Sequence, residues 1–252
     1  METDSAIPCG YVGQIKLTPI KKTELMARIA ATLEKKTRLT ISTVNPNYAV
    51  AASHNPALAQ AMNRFDIMLA DGTGIVWAAR YLGCPVPERL GNDDFGSDFY
   101  ELCLKFGRKV FLLGARPGVA ERAAENLVDR LPGLAIVGIH HGWFKPEEDG
   151  QIVEIINASG ADCLLVCLGT PRQQLWIAKN APKLHARLIM TGGGYLDHLA
   201  EAVDWYPKWI HRLRLNWLYR FWREPRRLWR RYTLEMLEFF WLVLRARITS
   251  TL

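Results

Sequence analysis

The chain has 252 residues, of which 49% are hydrophobic and 23% charged, and its net charge is +7. This length and composition fit one large globular domain, alone or with an appendage, and exclude a disordered or low-complexity chain. No apolar run reaches the roughly 18 residues of a membrane-spanning helix, and the acidic start is not typical of a signal peptide.

From residue 38 onward, short apolar runs alternate with segments of helical periodicity. Predicted strands cover residues 38–44, 67–70, 109–113, 134–139, 163–168 and 188–191. Predicted helices cover residues 47–63, 74–82, 94–106, 119–131, 147–159 and 172–180. The strands are almost entirely apolar, as expected when helices cover both faces of a parallel sheet. We therefore predict a Rossmann-like α/β catalytic domain, with a parallel sheet and helices on both faces, over residues 1–203.

The excess positive charge is confined to residues 204–252. This segment contains 11 Lys or Arg, 4 Asp or Glu, and six of the nine tryptophans. Its pattern predicts helices over residues 205–214, 216–222 and 226–247. Arginine forks suit phosphate, and tryptophan rings prefer a lipid headgroup interface. We therefore predict a helical, basic, Trp-rich appendage that binds an anionic partner, which is a membrane surface, a polyphosphate or a nucleic acid.

The five cysteines are scattered, and no two form a C-x-x-C pair. Cys163 and Cys167 lie in an apolar run, which favours buried packing over a redox or metal-binding role. This usage of cysteine fits a reducing, cytoplasmic setting.

Polar or glycine-rich loops follow five of the predicted strands. They comprise residues 43–47, 71–74, 114–118 and 169–174, and the three glycines 192–194 that precede Asp197. In open α/β sheets, ligands bind beyond the carboxyl ends of the strands, so these loops can converge on one crevice. A glycine-rich turn that opens a helix, as at Gly72 or Gly114, can present backbone N–H groups to a diphosphate.

Several side chains in these loops suit glycosyl or phosphoryl chemistry. Asp71 lies between an apolar strand and a glycine turn and is a candidate general base. Thr43 and Asn45 can orient a sugar hydroxyl, and Arg89 can neutralise phosphate.

Structural interpretations of the same residues remain open. Asp71-Gly72 is a common turn pair, Asn45, before Pro46, can cap the next helix, and the three glycines can be only a tight turn. The chain contains no H-E-x-x-H, D-x-D or Walker motif, so we predict neither a metal site nor a cofactor.

Five motifs occur in a fixed order over about residues 40–232. They are Thr43-x-Asn45, Asp71-Gly72-x-Gly74, Glu88-Arg89-x-x-Gly91-x-Asp93, Gly169-x-Pro171-x-Gln173 followed by Trp176-Ile177, and Trp217-Leu218-Tyr219-Arg220-x-x-x-Glu224-Pro225-x-Arg227. As an ordered set, they resemble the WecG/TagA/CpsF glycosyltransferases, which form glycosyltransferase family 26. The chain departs from the common pattern at Gln174, where the family usually has Glu.

The resemblance implies an inverting, metal-independent enzyme that needs no cofactor. Such enzymes move a hexose or N-acetylhexosamine-type sugar from a UDP-sugar to a polyprenyl-diphosphate-linked saccharide, in cell-surface polysaccharide or teichoic acid biosynthesis. The enzyme is then cytoplasmic and peripheral on the inner face of the cytoplasmic membrane, with an anionic membrane surface as partner. UDP-N-acetylmannosamine, its uronic acid and UDP-glucose all remain possible donors.

The resemblance also implies roles for individual residues. Asp71 matches the general base, and Thr43 matches a neighbouring residue of the catalytic site. The substrate-binding candidates are Asn45, Gly72, Arg89, Asp93, Gly114 and Gln173, together with Arg220, Arg227 and Arg230 of the appendage, which are expected to meet the diphosphate.

Two other functions fit parts of the sequence. The basic Arg/Trp appendage is compatible with a nucleic-acid-binding module, but the remainder of the chain is neutral and shows no recognised nucleic-acid motif, so we expect no nucleic-acid partner. A NAD-type dehydrogenase would need a six-residue glycine fingerprint followed by a ribose-binding acid, and the chain lacks both.

Overall fold

The computed structural model describes residues 10–201, 210, 216–223, 229 and 233–249. The strands are β1 (Gly10–Val12), β2 (Ile15–Leu17), β3 (Leu39–Val44), β4 (Ile67–Ala70), β5 (Val110–Gly114), β6 (Ile136–His140), β7 (Cys163–Cys167) and β8 (Leu188–Thr191). The helices are α1 (Lys22–Lys35), α2 (Pro46–His54), α3 (Pro56–Asn63), α4 (Thr73–Tyr81), α5 (Asn92–Lys105), α6 (Val119–Arg130), α7 (Asp149–Ala158), α8 (Arg172–Asn180), α9 (Tyr195–Ala200), α10 (Asn216–Arg223) and α11 (Leu234–Thr249).

Strands β3 to β8 form one parallel sheet in the order β4-β3-β8-β7-β5-β6. Strands β1 and β2 form a separate antiparallel hairpin. The parallel sheet that the apolar runs predicted is therefore confirmed. Because all six strands run in the same direction, the loops that follow them emerge at one edge of the sheet.

The core has two layers, one on each face of the sheet. Residues alternate between them, so that Val44 and Ala70 pack on one face while Ile41 and Leu69 pack on the other. The first layer includes residues of α2, α3, α4, α7, α8 and α11, and the second includes residues of α1, α5, α6 and α9. Helices therefore cover both faces, as predicted.

One predicted helix, over residues 47–63, is wrong as a single element. The chain breaks into α2 and α3 at Asn55, whose backbone is extended, with φ of −131° and ψ of 92°. Pro56 causes the break, since proline disfavours the helical conformation of the residue before it and lacks an N–H. The Asn55 side chain then accepts a hydrogen bond from the Leu58 N–H at 3.1 Å and caps α3.

The N-terminal part of the fold was not predicted. It consists of the β1–β2 hairpin and α1, which buries Leu25, Ile29 and Leu33 against the sheet. These three residues recur every four positions, which is a helical signal, whereas strands of three residues are too short to show periodicity.

The described C-terminal helices agree with the predicted pattern. Helix α10 covers the predicted 216–222 segment, and α11 lies almost entirely within the predicted 226–247 segment. Apart from residue 210, the predicted helix over 205–214 lies outside the described residues. In α11, Phe239 and Val243 are buried in the same core layer as α2. The domain boundary near residue 203 stays a prediction.

The burial predicted for Cys163 and Cys167 is confirmed. Burial raises the pKa of the Cys167 thiol to about 12, so this side chain remains protonated and packs as a small apolar group. No helix among the described residues combines the length and the apolar character needed to cross a membrane.

Candidate active site

The ends of β3 and β4 bring Thr43, Asn45 and Asp71 together. In the parallel register, Thr43 pairs with Leu69 and Val44 with Ala70, and the Asp71 N–H donates to the Val44 carbonyl at 2.8 Å. Alternation along the strands places Thr43 and Asp71 on the same face as Leu69, toward the start of α5. Thr43 is buried, whereas the Asp71 side chain is 31% exposed and so remains accessible to a ligand.

Asp71 contacts the loop that leads into α5. The Arg89 guanidinium lies 3.5 Å from Asp71 Oδ1 and 2.5 Å from Asp94 Oδ1. Asp94 Oδ2 accepts a hydrogen bond from the Gly91 N–H at 2.7 Å, which caps α5. The Leu90 N–H donates to the Ala70 carbonyl at 2.9 Å, so the loop is also tied to the end of β4.

Gly91 allows the close approach between this loop and Asp71. A β-carbon on Gly91 would lie 2.6 Å from Asp71 Oδ1, closer than such atoms approach in proteins. The φ of Gly91 is −105°, which other residues also adopt, so the need for glycine here is steric. The carboxylate is therefore held between a guanidinium and a bare backbone.

The pKa of the Arg89 guanidinium is higher than that of a solvated arginine. Burial alone would lower the pKa of its guanidinium, but the carboxylates of Asp94, Asp71 and Asp93 outweigh burial and raise it. The guanidinium and the Asp71 carboxylate, 3.5 Å apart, attract each other. Arg89 therefore holds the Asp71 carboxylate, and its contact with phosphate stays a prediction.

Gly72 and Asn45 begin the two helices that flank Asp71. Gly72 has a φ of +95° and precedes the first residue of α4, a conformation that favours glycine. The Asn45 side chain accepts a hydrogen bond from the Tyr48 N–H at 3.1 Å and caps α2. The structural interpretation of Asn45 is therefore correct, and its contact with substrate stays a prediction.

Asp93 lies at the start of α5 beside α9. Its carboxylate is 33% exposed and lies 3.1 Å from His198 Nδ1. The structure thus brings Asp93 into the same cluster as Arg89 and Asp71, through the first turn of α5.

Gln173 supports the three-glycine turn. It is 1% exposed, and its Oε1 accepts a hydrogen bond from the Gly193 N–H at 3.0 Å. On the other side, Asn92 Nδ2 donates to the Gly192 carbonyl at 3.3 Å. Gly193 has a φ of +58°, and a β-carbon on Gly192 would collide with Cys167 Sγ. These glycines therefore have a structural role, whatever they also bind.

Gly114 lies in the other half of the sheet. Three strands separate β5 from β4, so at about 4.8 Å per strand Gly114 lies about 19 Å from Asp71 along the edge. Its φ is +138°, and a β-carbon there would collide with the Cys167 carbonyl. Contact of Gly114 with substrate stays a prediction, and at this distance it would involve a part of the substrate remote from Asp71.

Two of the predicted tail arginines, Arg227 and Arg230, lie outside the described residues. Arg220 belongs to α10, but its side chain is not among those described. The roles of all three therefore stay predictions.

Sequence reasoning did not identify Asp94 as a partner of Arg89. A signal was present, because Gly91 and Asp94 have the spacing of a helix cap and its third residue. Nor did it single out Trp77 and Tyr81, which are exposed on α4 next to this cluster. Within the described ranges, no three His, Cys, Asp or Glu side chains are grouped as ligands for a metal ion.

Comparison with known proteins defines the class of enzyme. Residues 11–252 match the family model described as "Glycosyl transferase WecG/TagA/CpsF family". An N-acetylglucosaminyldiphosphoundecaprenol N-acetyl-beta-D-mannosaminyltransferase of Bacillus spizizenii is 27% identical over 221 residues, which cover 87% of this chain and 85% of the relative. The proteins of that name from Staphylococcus aureus strains MRSA252 and NCTC 8325 are each 32% identical over 186 residues, covering 72% of this chain and 71% of each relative.

The protein is thus a glycosyltransferase built on a parallel α/β sheet. More particularly, it belongs to the WecG/TagA/CpsF family. Of the functions considered from the sequence, the glycosyltransferase is the one that these matches confirm.

Proposed function

We propose that this enzyme transfers an N-acetylhexosamine-type sugar from a UDP-sugar to a saccharide linked to a polyprenyl diphosphate, with inversion and without a metal ion. Among the donors left open by the sequence, UDP-N-acetylmannosamine has the most support, because the relatives are named as N-acetylmannosaminyltransferases. The same names support N-acetylglucosaminyl diphosphoundecaprenol as acceptor.

The observation that carries the proposal is the position of Asp71. It is a partly exposed carboxylate at the carboxyl edge of a parallel sheet, next to a guanidinium and between the first turns of α4 and α5. In the reaction, the oxygen of the acceptor hydroxyl attacks the anomeric carbon of the donor sugar. Asp71 accepts the proton of that hydroxyl at the same time. The bond from that carbon to the UDP oxygen breaks on the opposite face, which inverts the configuration.

Charge on the departing UDP is balanced by groups of the protein. The first turns of α2 and α4 direct backbone N–H groups toward this edge. Arg220, Arg227 and Arg230 supply the positive charge that a divalent ion supplies in other transferases. Arg89 lies against the base, and Thr43 lies on the same face of the sheet as Asp71.

The described part of α11 supports an enzyme that works at a membrane surface. One side of α11 packs on the body through Phe239 and Val243, and the other exposes a stripe of apolar side chains. The stripe contains Leu237, Phe240, Trp241, Leu244 and Ile248, which are between 44% and 67% exposed. Such a stripe beside basic residues is typical of interfacial helices. We place the enzyme on the cytoplasmic face of the membrane, where lipid-linked acceptors and UDP-sugars meet.

The proposal is tested by incubating the purified full chain with a panel of UDP-sugars and N-acetylglucosaminyl diphosphoundecaprenol. The expected result is release of UDP together with a disaccharide lipid, with UDP-N-acetylmannosamine as the preferred donor. Proton NMR of the product should show an anomeric configuration opposite to that of the donor. A product that retains the donor configuration, or transfer only to an acceptor without a lipid diphosphate, would contradict the proposal.

A further inference from the structure

A groove of about 560 Å³ runs along α4 beside Asp71. One wall is the helix face that carries Thr73, Trp77 and Tyr81, which recur every four residues and so share a side of the helix. The facing wall is the loop that contains Pro87 and Arg89. We refer to this feature as the α4 groove.

One end of the α4 groove lies close to the candidate base. Arg89, which lines it, lies 3.5 Å from Asp71 Oδ1, and Thr73 follows Asp71 by two residues. Tyr81 lies eight residues farther along α4, which corresponds to about 12 Å at 1.5 Å per residue. A molecule in the groove therefore has one end near Asp71 and extends away from it.

The far part of the α4 groove is aromatic. The rings of Trp77 and Tyr81 stack with their centroids 5.4 Å apart, and these side chains are 49% and 43% exposed. Phe240 of α11 packs edge-on against Trp77 at 5.6 Å and extends this surface toward the exposed stripe of α11. The Arg247 guanidinium lies 5.7 Å from the Tyr81 ring. Such a surface offers apolar area on which the hydrocarbon of a prenyl chain can pack.

Hydrogen bonds fix the two walls of the α4 groove relative to each other. The Arg80 guanidinium, which also lines the groove, donates to the carbonyls of Val86 and Pro87 at 2.9 and 2.7 Å. Glu88 accepts a hydrogen bond from the Lys22 N–H at 2.6 Å, which ties the loop to the start of α1. A preformed groove avoids part of the ordering cost of binding.

We propose that the α4 groove binds the first isoprene units of the acceptor's prenyl chain, with the diphosphate at its Thr73 and Arg89 end. This inference rests on the proposed function, because it concerns the lipid part of that acceptor. The polarity of the groove follows the polarity of a prenyl diphosphate, with N–H groups and guanidinium at one end and stacked rings at the other. An acceptor in this orientation presents its sugar toward Asp71 and its lipid toward α11.

Direct binding is measured by titration calorimetry of the full chain with farnesyl diphosphate and with inorganic diphosphate. Farnesyl diphosphate is expected to bind at least about tenfold more tightly than inorganic diphosphate. Burial of part of its prenyl chain on the rings supplies the roughly 1.4 kcal/mol to which a tenfold change in affinity corresponds. Trp77→Ala and Tyr81→Ala should each remove most of this preference, and Trp77→Phe should keep it. Trp143→Ala is the matched control, because Trp143 is 68% exposed on the loop after β6, the strand of the sheet farthest from β4.

Catalysis provides a second measurement. Two acceptors share the N-acetylglucosaminyl diphosphate head and carry either a methyl or a farnesyl group. Trp77→Ala and Tyr81→Ala should raise KM for the farnesyl acceptor by about tenfold and leave kcat and the kinetics of the methyl acceptor nearly unchanged. Trp143→Ala should change neither acceptor.

Several results would overturn the inference. The first is equal affinity for farnesyl diphosphate and inorganic diphosphate. The second is that Trp143→Ala loses the preference for farnesyl diphosphate as much as Trp77→Ala does. The third is that Trp77→Ala raises KM equally for both acceptors, which would mean that Trp77 only holds α4 against α11. If Trp77→Ala lacks a cooperative thermal transition, Tyr81→Ala decides.

Failure of the proposed function looks different. A protein that binds farnesyl diphosphate through Trp77 but transfers no sugar contradicts the proposed function and still supports prenyl binding in the α4 groove. A chain that transfers sugar equally well to both acceptors contradicts the groove alone.

Discussion

Asp71 and Gly91 approach each other so closely that a β-carbon on Gly91 would lie 2.6 Å from Asp71 Oδ1. The end of β4 and the start of α5 therefore meet at the candidate base with no side chain between them. Arg89, two residues before Gly91, lies against the same carboxylate. The following predictions test what this arrangement does.

Asp71→Asn should abolish most transfer while the protein stays folded. An amide cannot accept the acceptor proton, and removal of a positioned base costs roughly 10²–10⁴-fold in turnover. Steady-state UDP release measures kcat, and thermal unfolding checks the fold. Asp129→Asn, an exposed carboxylate on α6, serves as the control and should behave as wild type. Near-normal turnover by folded Asp71→Asn would remove Asp71 from the mechanism.

Gly91→Ala should impair catalysis more than stability. The added methyl group collides with the Asp71 carboxylate, so that the base or the first turn of α5 must shift. Misplacement by about 1 Å can cost roughly 10²-fold, and we expect a loss of that order in kcat. Gly150→Ala is the matched control, because a β-carbon there meets nothing within 4 Å and the residue lies in α7. Equal kcat in the two variants would contradict the steric argument.

Arg89→Gln should move the acidic limb of the pH profile of kcat/KM to higher pH. Without the guanidinium, the ionised Asp71 loses its neighbouring cation, so protonation inactivates the enzyme earlier as the pH falls. Arg89→Lys keeps the charge, so the acidic limb should return part of the way to its wild-type pH. Lysine cannot contact Asp71 and Asp94 with the same geometry as the arginine fork. Arg122→Gln, on the exposed side of α6, should leave the profile unchanged. A purely structural Arg89 would lower stability without moving the limb.

Transfer should persist in excess EDTA. The arginines of the C-terminal segment and the helix N-termini are expected to balance the charge on UDP, so no divalent ion is required. Turnover is compared before and after chelation, and then after adding Mg²⁺ or Mn²⁺. Loss of activity that either ion restores would show that the transfer depends on a metal.

The exposed stripe of α11 should bind the enzyme to anionic vesicles. Removing residues 204–252 would also remove Phe239 and Val243 from the core, so surface substitutions give a cleaner test. Leu237→Ser with Trp241→Ser should lower co-sedimentation with phosphatidylglycerol vesicles, and salt should weaken binding, because each basic residue near the surface contributes about 1 kcal/mol. Trp143→Ser is the control. Unchanged sedimentation of the double variant would exclude this stripe as the contact.

Local patterns were sufficient to predict much of the sheet and its helices. The boundaries of α8 and β8 agree with the sequence because a polar or glycine-containing turn flanks each apolar run. The break between α2 and α3 was missed, although Asn55-Pro56 carries the signal for it, because apolar residues continue with helical spacing across the proline. The parallel direction of the strands also followed from the sequence, since helical crossovers leave no short hairpins between them.

Which loops meet was decided by tertiary structure. Sequence order suggests that the loops after β4 and β5 are neighbours, but β3, β8 and β7 lie between those strands. Asp71 therefore lies far from Gly114 and close to Arg89 and Gly91, which belong to the loop before α5. The sequence alone determined that Asp71, Thr43 and Asn45 lie at or just after the ends of strands, because an apolar run and the polar residues that follow it are local features of the sequence. The contact of Asp71 with Arg89 and the shape of the α4 groove depend on how distant segments pack on the two faces of the sheet. No local pattern in the sequence encodes that packing.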